Sequence, residues 1–200
     1  SCLNPISIRV RDMPVIMTEK ALYYLLKYTL FEALKADNVV KGRSPLINKI
    51  GKPIASEKLT ILDDGSLPGG LNSWSFDDEG ARTRRTIIVG EGELKGFLTD
   101  NYYAYKINLK NTANALRSSF SRYIKPPQIA PLNAIILPGD WSKEEMLSES
   151  NGSLLVDGLQ GAHSSNPETG EFSVVATPAW LIREGELKPV KNVMIAGNIY

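Results

Sequence analysis

The sequence predicts an α+β fold with a largely antiparallel sheet, and three features carry that reading. Residues 18–37 form one long run with apolar side chains at helical spacing. From Ala55 onward, short β-branched runs alternate with Gly, Pro, Asn and Asp, the pattern of strands joined by tight turns. The pentapeptide Glu-Gly-Glu-Leu-Lys occurs twice, at 91–95 and 184–188, each time between strand-like runs. An old duplication or a short turn optimised twice accounts for this echo.

Residues 6–10 and 15–17 read as strands. Thr18 then supplies an N-cap, with Glu19 in the first turn, for one helix over 18–37. That helix is apolar over much of its circumference, which predicts packing between other elements. Residues 41–50 form a basic loop, 59–62 a strand and 63–70 a turn-rich loop. Residues 83–89 and 94–98 make a hairpin across Gly90-Glu91-Gly92, where glycine supplies positive φ. Residues 100–107 suit a short helix, and Pro126, Pro127 and Pro131 interrupt regular structure beyond it. Ser142-Lys-Glu-Glu145 is a capping box opening a helix to about 148. A second hairpin is expected to pair 174–183 with 187–196 across Glu184-Gly185-Glu186.

Composition narrows the function classes. Of 200 residues, 42% are hydrophobic, and 16 glycines raise the total to the globular range, so overall disorder is excluded. With 23 basic and 22 acidic residues the net charge is +1, which provides no global field toward nucleic acid or an anionic membrane. Cys2 is the only cysteine, so an internal disulfide or thiolate cluster is impossible, and the composition fits a reducing cytoplasm. No membrane span or export signal is found.

Most candidate sites have plain structural alternatives. His163 precedes two serines, but neighbours in sequence rarely face one another and no G-x-S-x-G elbow exists, so a loop histidine is expected. Asp77, Asp78 and Glu79 offer carboxylates for a hard cation, yet consecutive acids on an extended chain point to opposite faces. They are expected to bond backbone N–H groups or pair with Arg82, Arg84 and Arg85, with substrate contact as the alternative. Those arginines beside three acids read as a balanced surface with no aromatic platform nearby, and no direct nucleic-acid contact is expected. Tyr102, Tyr103 and Tyr105 are expected to cover a core face. Asn151-Gly-Ser153 reads as a turn, and residues 90–96 do not make a dinucleotide fingerprint.

Ile54-Ala-Ser-Glu57, Phe76-Asp-Asp-Glu-Gly80, Thr83-Arg-Arg-Thr86, Leu94-Lys-Gly-Phe-Leu98 and Lys188-Pro-Val190 occur in the order and spacing of one family. The chain resembles the TldD/PmbA family from about residue 14 to 198. The resemblance implies a single β-rich, barrel-like domain of C-terminal type over 1–200. It also implies an α/β domain before this sequence and further strands after it. Proteolytic members carry H-E-x-x-x-H on the helix corresponding to 18–37. Here those histidines fall on Leu26 and Phe31 and the glutamate falls on Lys27, so catalytic and metal residues are none and the PmbA side is the better match. Thr112-Ala-Asn-Ala115 resembles a family loop in which Ala113 replaces the usual glycine. Asp78, Glu79, Gly80 and Asn114 are the peptide-contact candidates.

The residues and the resemblance together support three readings. One is a non-catalytic subunit that holds unfolded peptide by strand addition and partners a zinc-bearing TldD-like paralogue, or a second copy of itself, in peptide maturation and protein degradation. Another is a metallopeptidase or divergent hydrolase active in its own right, using carboxylates such as Asp77, Asp78 and Glu79 with a metal. The third is a standalone peptide-binding or structural domain. The family also carries the label of DNA gyrase modulator, although none of these residues points to gyrase.

Overall fold

The computed structural model describes residues 5–9, 12–117, 124–191 and 193–200. The fold is α+β, with short helices, and all strand pairings but Val15–Met17 with Leu154–Val156 are antiparallel among the described residues. Its contacts separate into two compact units. One comprises Ser1–Leu30 with Asp140–Ile199, and the other Phe31–Gly139 with Tyr200. No helix of the described residues is long and apolar enough to cross a membrane.

The expected single helix over 18–37 is corrected to three segments, Glu19–Tyr28, Leu30–Ala33 and Ala36–Val40. Thr18 caps the first as predicted, its hydroxyl accepting from Ala21 N at 3.5 Å. Thr29 ends it: the backbone leaves the helical region at φ −124°, ψ −90°, and the buried hydroxyl donates to Leu25 O at 2.7 Å. That side chain satisfies a carbonyl the next helical turn would have used. Lys35 makes the second break. It is extended at φ −78°, ψ 128°, while Leu98 N donates to Leu34 O and Ala36 N to Leu98 O, both at 2.9 Å. Apolar periodicity located the helical residues but not these interruptions.

In the first unit, a sheet runs in the order Val15–Met17, Leu154–Val156, Ala179–Arg183, Glu186–Pro189, and a second in the order Val193–Asn198, Glu171–Ala176, Leu159–Gln160. The expected 174–183 strand is therefore divided between two sheets. Thr177-Pro178 falls at the division, and proline has no N–H to continue a ladder. Gly158 receives this corner: Thr177 N donates to its carbonyl at 2.8 Å, and a Cβ on Gly158 would lie 2.5 Å from Thr177 O. Ala21, Leu154, Val156, Ala176 and Ala179 form the core, with Met17, Val193 and Ile195 packed against it. Their small side chains allow the helix to lie close to the strands, and each larger one buried contributes about 1.5–3 kcal/mol. The capping box is present, with Glu145 N to Ser142 Oγ at 3.2 Å and Ser142 N to Glu145 Oε2 at 2.8 Å.

In the second unit, a sheet runs Glu93–Leu94, Arg85–Gly90, Ile61–Asp64, Ala134–Ile136. Ile61 pairs with Val89 but Leu62 pairs with Ile87, so Ile88 is an extra residue, a β-bulge. The bulge breaks alternation and buries Ile88 and Val89 together while Ile87 stays exposed. Of the expected 94–98 strand only Leu94 joins the ladder. Ser44 anchors the basic loop by donating to Ala33 O at 2.6 Å, and Leu46 is buried.

The two pentapeptide copies fold alike. Glu91 and Gly92 have φ of 51° and 76°, and Glu184 and Gly185 have 52° and 77°. Two successive positive φ values define a type I′ hairpin turn, joining Gly90 to Glu93 and Arg183 to Glu186. In each copy the lysine pairs with the second glutamate, Lys95 with Glu93 and Lys188 with Glu186.

Candidate functional site

The Asp-Asp-Glu-Gly motif is the tip of a small hairpin in the second unit. Phe76 and Arg82 form an antiparallel bridge, Asp77 N donates to Ala81 O at 2.9 Å, and Thr83 N donates to Ser75 O at 3.2 Å. Buried Asp77 holds the tip closed. Its Oδ1 accepts from Glu79 N at 3.0 Å and Ala81 N at 2.9 Å, and its Oδ2 accepts from Ala115 N at 3.2 Å. Gly80, exposed at φ 81°, completes the turn. Asp78 Oδ2 accepts from Arg117 N at 2.7 Å, and Glu79 Oε2 accepts from Asn101 N at 2.9 Å. The expectation that these acids serve backbone N–H groups is met.

Of the four peptide-contact candidates, Asp78, Glu79 and Gly80 share this tip. Asn114 is tied to it through its neighbour, since Ala115 exchanges bonds with Asp77 and Asp78. Its own side chain points inward, fully buried, with Nδ2 donating to Asp63 Oδ2 at 2.6 Å and Ala130 O at 3.0 Å. Asp63 is a buried acid that no local motif singles out. Burial pushes its carboxyl above the usual range, offset in part by the Asn114 bond. Asp63 Oδ1 and Asn114 Oδ1 have no hydrogen-bond partner among the described residues. Ala113, where the family resemblance expects glycine, is fully buried at φ 61° and bears the strain of a left-handed non-glycine residue.

The expected pairing of Arg82, Arg84 and Arg85 with the acids is not what forms. Among the described residues, Asp78 pairs with Arg117 instead, at 4.0 Å, and none of the three arginines has an ion-pair partner. Engaging the carboxylates with backbone donors leaves these guanidiniums to an open groove of about 1000 Å³. Gly65, Ser73, Trp74 and Phe76 line it with them. Trp74 and Phe76 are 50% and 60% exposed, which corrects the expectation that no aromatic platform lies nearby. Asn133 shapes the facing loop, its Nδ2 donating to Asp64 O at 2.8 Å and Ser73 Oγ at 3.0 Å. A Cβ on Gly65 would lie 2.4 Å from Leu132 Cδ1 and 2.7 Å from Thr83 Cβ, so this wall requires glycine. Large apolar residues at 71, 74 and 76 within a Gly- and Ser-rich loop were the available signal.

Beside the groove, Arg85–Gly90 offers partly unpaired backbone. Glu93–Leu94 covers only Val89 and Gly90 on its outer side, and among the described residues no strand pairs beyond Arg85, Thr86 and Ile87.

The residues that the resemblance aligns with the metal motif are apolar or cationic. Leu26 and Phe31 are buried hydrocarbon, and Lys27 is exposed with its ammonium 5.8 Å from the Tyr23 ring centroid and 5.3 Å from that of Tyr28. None of these donates an electron pair to a divalent ion at neutral pH. His163 lies in the 3₁₀ turn Ala162–Ser164, edge-on to Tyr28 at 6.5 Å, and Ser164 Oγ donates to Gly161 O at 2.7 Å. Tyr102 and Tyr105 are 57% and 88% exposed, so they do not cover a core face. Asn151 turns as expected, its Oδ1 accepting from Glu184 N at 3.1 Å.

Comparison with known proteins gives these features a family. The profile of the PmbA/TldA metallopeptidase C-terminal domain matches residues 10–200. The chain belongs to the PmbA/TldD family. It is 37% identical over 186 residues to an uncharacterised Methanocaldococcus jannaschii protein, covering 93% of this chain and 43% of that one. It is 32% identical to the metalloprotease PmbA of Escherichia coli O157:H7, covering 100% of this chain and 41% of that one. Among solved structures, TldE from Thermococcus kodakarensis superposes with a TM-score of 0.90 at 39% identity, covering 98% of this chain and 44% of that one. A Thermotoga maritima protein described as a candidate modulator of a DNA gyrase gives 0.86 at 31%, covering 97% and 43%. The chain thus spans less than half the length of these relatives. PmbA/TldD proteins are related to metalloproteases, and the match includes their mostly antiparallel α+β architecture.

Proposed function

We propose that this chain is part of a non-catalytic subunit that grips extended peptide for a zinc-bearing TldD-like paralogue. The proposal is supported by the residues at the positions that the resemblance aligns with the motif's donors: Leu26 and Phe31 are packed in the interior and Lys27 is a cation near two tyrosine rings. Hydrocarbon and ammonium side chains supply no metal ligands, whereas binding needs only accessible backbone and surface. Arg85, Thr86 and Ile87 supply such backbone next to the aromatic groove. Strand addition draws affinity from main-chain hydrogen bonds, so it accepts many sequences, as the clearance of unfolded proteins requires.

The test mixes this chain with a histidine-bearing paralogue and an unfolded casein-like substrate. Association is expected, with faster cleavage than the paralogue gives alone. Changing the paralogue's motif histidines should abolish that cleavage. Absence of association, with peptide binding retained, would favour the standalone binding domain.

A further inference from the structure

We propose that the Trp74–Phe76–Arg82–Arg84–Arg85 groove is a subsite for acidic side chains carried on an extended peptide. The inference rests on the peptide-binding reading above and adds to it a charge preference. Three guanidiniums occur within four residues and have no ion-pair partner among the described residues. They line one groove of about 1000 Å³ with two half-exposed aromatic rings. The carboxylates closest in sequence are engaged elsewhere: Asp77 with three backbone N–H groups, Asp78 with Arg117, and Glu79 with Asn101 N. The hairpin tip thus uses its acids as internal clamps and leaves its cations outward, a local positive surface on a chain whose net charge is only +1.

Arginine holds a carboxylate through paired N–H donors, and an exposed indole or phenyl face accepts the apolar stem of Glu or a neighbouring apolar residue. Arg85 also begins the strand whose outer edge no strand among the described residues pairs at Arg85, Thr86 and Ile87. A peptide lying along that edge would present alternate side chains to one side, at the two-residue period of a strand. Nucleic acid shares the anionic chemistry but is the poorer fit. A phosphate chain needs cations spread along its length, and here three are concentrated within four residues on one groove.

The test is fluorescence anisotropy of this chain with labelled extended peptides of equal length. One has Glu at alternate positions and a single Phe, one has Gln in place of Glu and one has Lys. A labelled oligothymidine is the fourth probe. The Glu peptide should bind about tenfold more tightly than the Gln peptide at low salt, and the gap should close as salt rises. The Lys peptide should bind more weakly than either. The combined R82Q/R84Q/R85Q variant, its fold checked by circular dichroism, should lose the Glu preference and bind the Glu and Gln peptides with equal affinity. Equal affinity of the original chain for Glu and Gln peptides would overturn the charge preference and leave strand addition standing. Failure to bind any peptide would overturn both. Tighter binding of oligothymidine than of the Glu peptide would overturn the proposal in favour of a nucleic-acid surface.

Discussion

Phe76 and Arg82 face each other across an antiparallel bridge, and the four motif residues Asp77-Asp-Glu-Gly80 form most of the loop that the bridge closes. The motif therefore acts as a clamp. Asp77 takes three backbone donors so that an aromatic ring and a guanidinium emerge side by side on the groove wall.

Removing that clamp should be costly. Asp77→Ala would leave the N–H groups of Glu79, Ala81 and Ala115 without their acceptor, a loss of about 2–4 kcal/mol. Asp77→Asn keeps an oxygen for the Oδ1 bonds and should lose about half as much. Chemical denaturation of the two variants checks the order, and equal losses would contradict the clamp.

The twin turns should respond unequally to the same substitution. A Cβ at Gly92 would lie 2.5 Å from Ala55 O and 2.7 Å from Ser56 O, whereas one at Gly185 would meet nothing within 4 Å among the described residues. Gly185→Ala should cost only the left-handed backbone penalty, about 1–2 kcal/mol. Gly92→Ala adds a backbone clash and should cost at least about twice that. The shift in thermal midpoint of each variant measures the difference.

Asp63 should make stability fall with rising pH. Its native carboxyl is raised above the ordinary value of 3.8 by burial, so the folded state favours the protonated form. The sign follows from linkage: below 3.8 both states are protonated and no penalty exists, while above it the unfolded chain ionises first and gains. The loss is complete once pH passes the raised native value. Asp63→Asn retains an acceptor for Asn114 Nδ2 and cannot ionise, so its stability should be flatter over that window. Parallel stability curves would contradict the assignment.

Local chemistry was legible in the sequence wherever a few adjacent residues decide the outcome. The Thr18 cap, the Ser142/Glu145 box and both Glu-Gly turns depend on side chains within about four positions of one another. The helix breaks at Thr29 and Lys35 were not legible, because the second depends on Leu98, remote in sequence. The same limit hid the site. Asp77, Asp78 and Glu79 were recognised as backbone acceptors, but that their engagement leaves Arg82, Arg84 and Arg85 without ion pairs among the described residues depends on Asn101, Ala115 and Arg117. Asp63 carried no signal, since the sequence placed it at the head of the turn-rich 63–70 loop, whereas it lies in the strand Ile61–Asp64 and bonds Asn114, remote in sequence.

The most direct test of the central claim is metal and activity analysis of this chain alone. The purified protein is incubated with zinc, desalted and assayed both for bound metal and for cleavage of unfolded casein, with and without a chelator. A non-catalytic chain should retain no stoichiometric zinc and show no cleavage. Stoichiometric zinc held by its own side chains, with cleavage that the chelator abolishes, would contradict that claim.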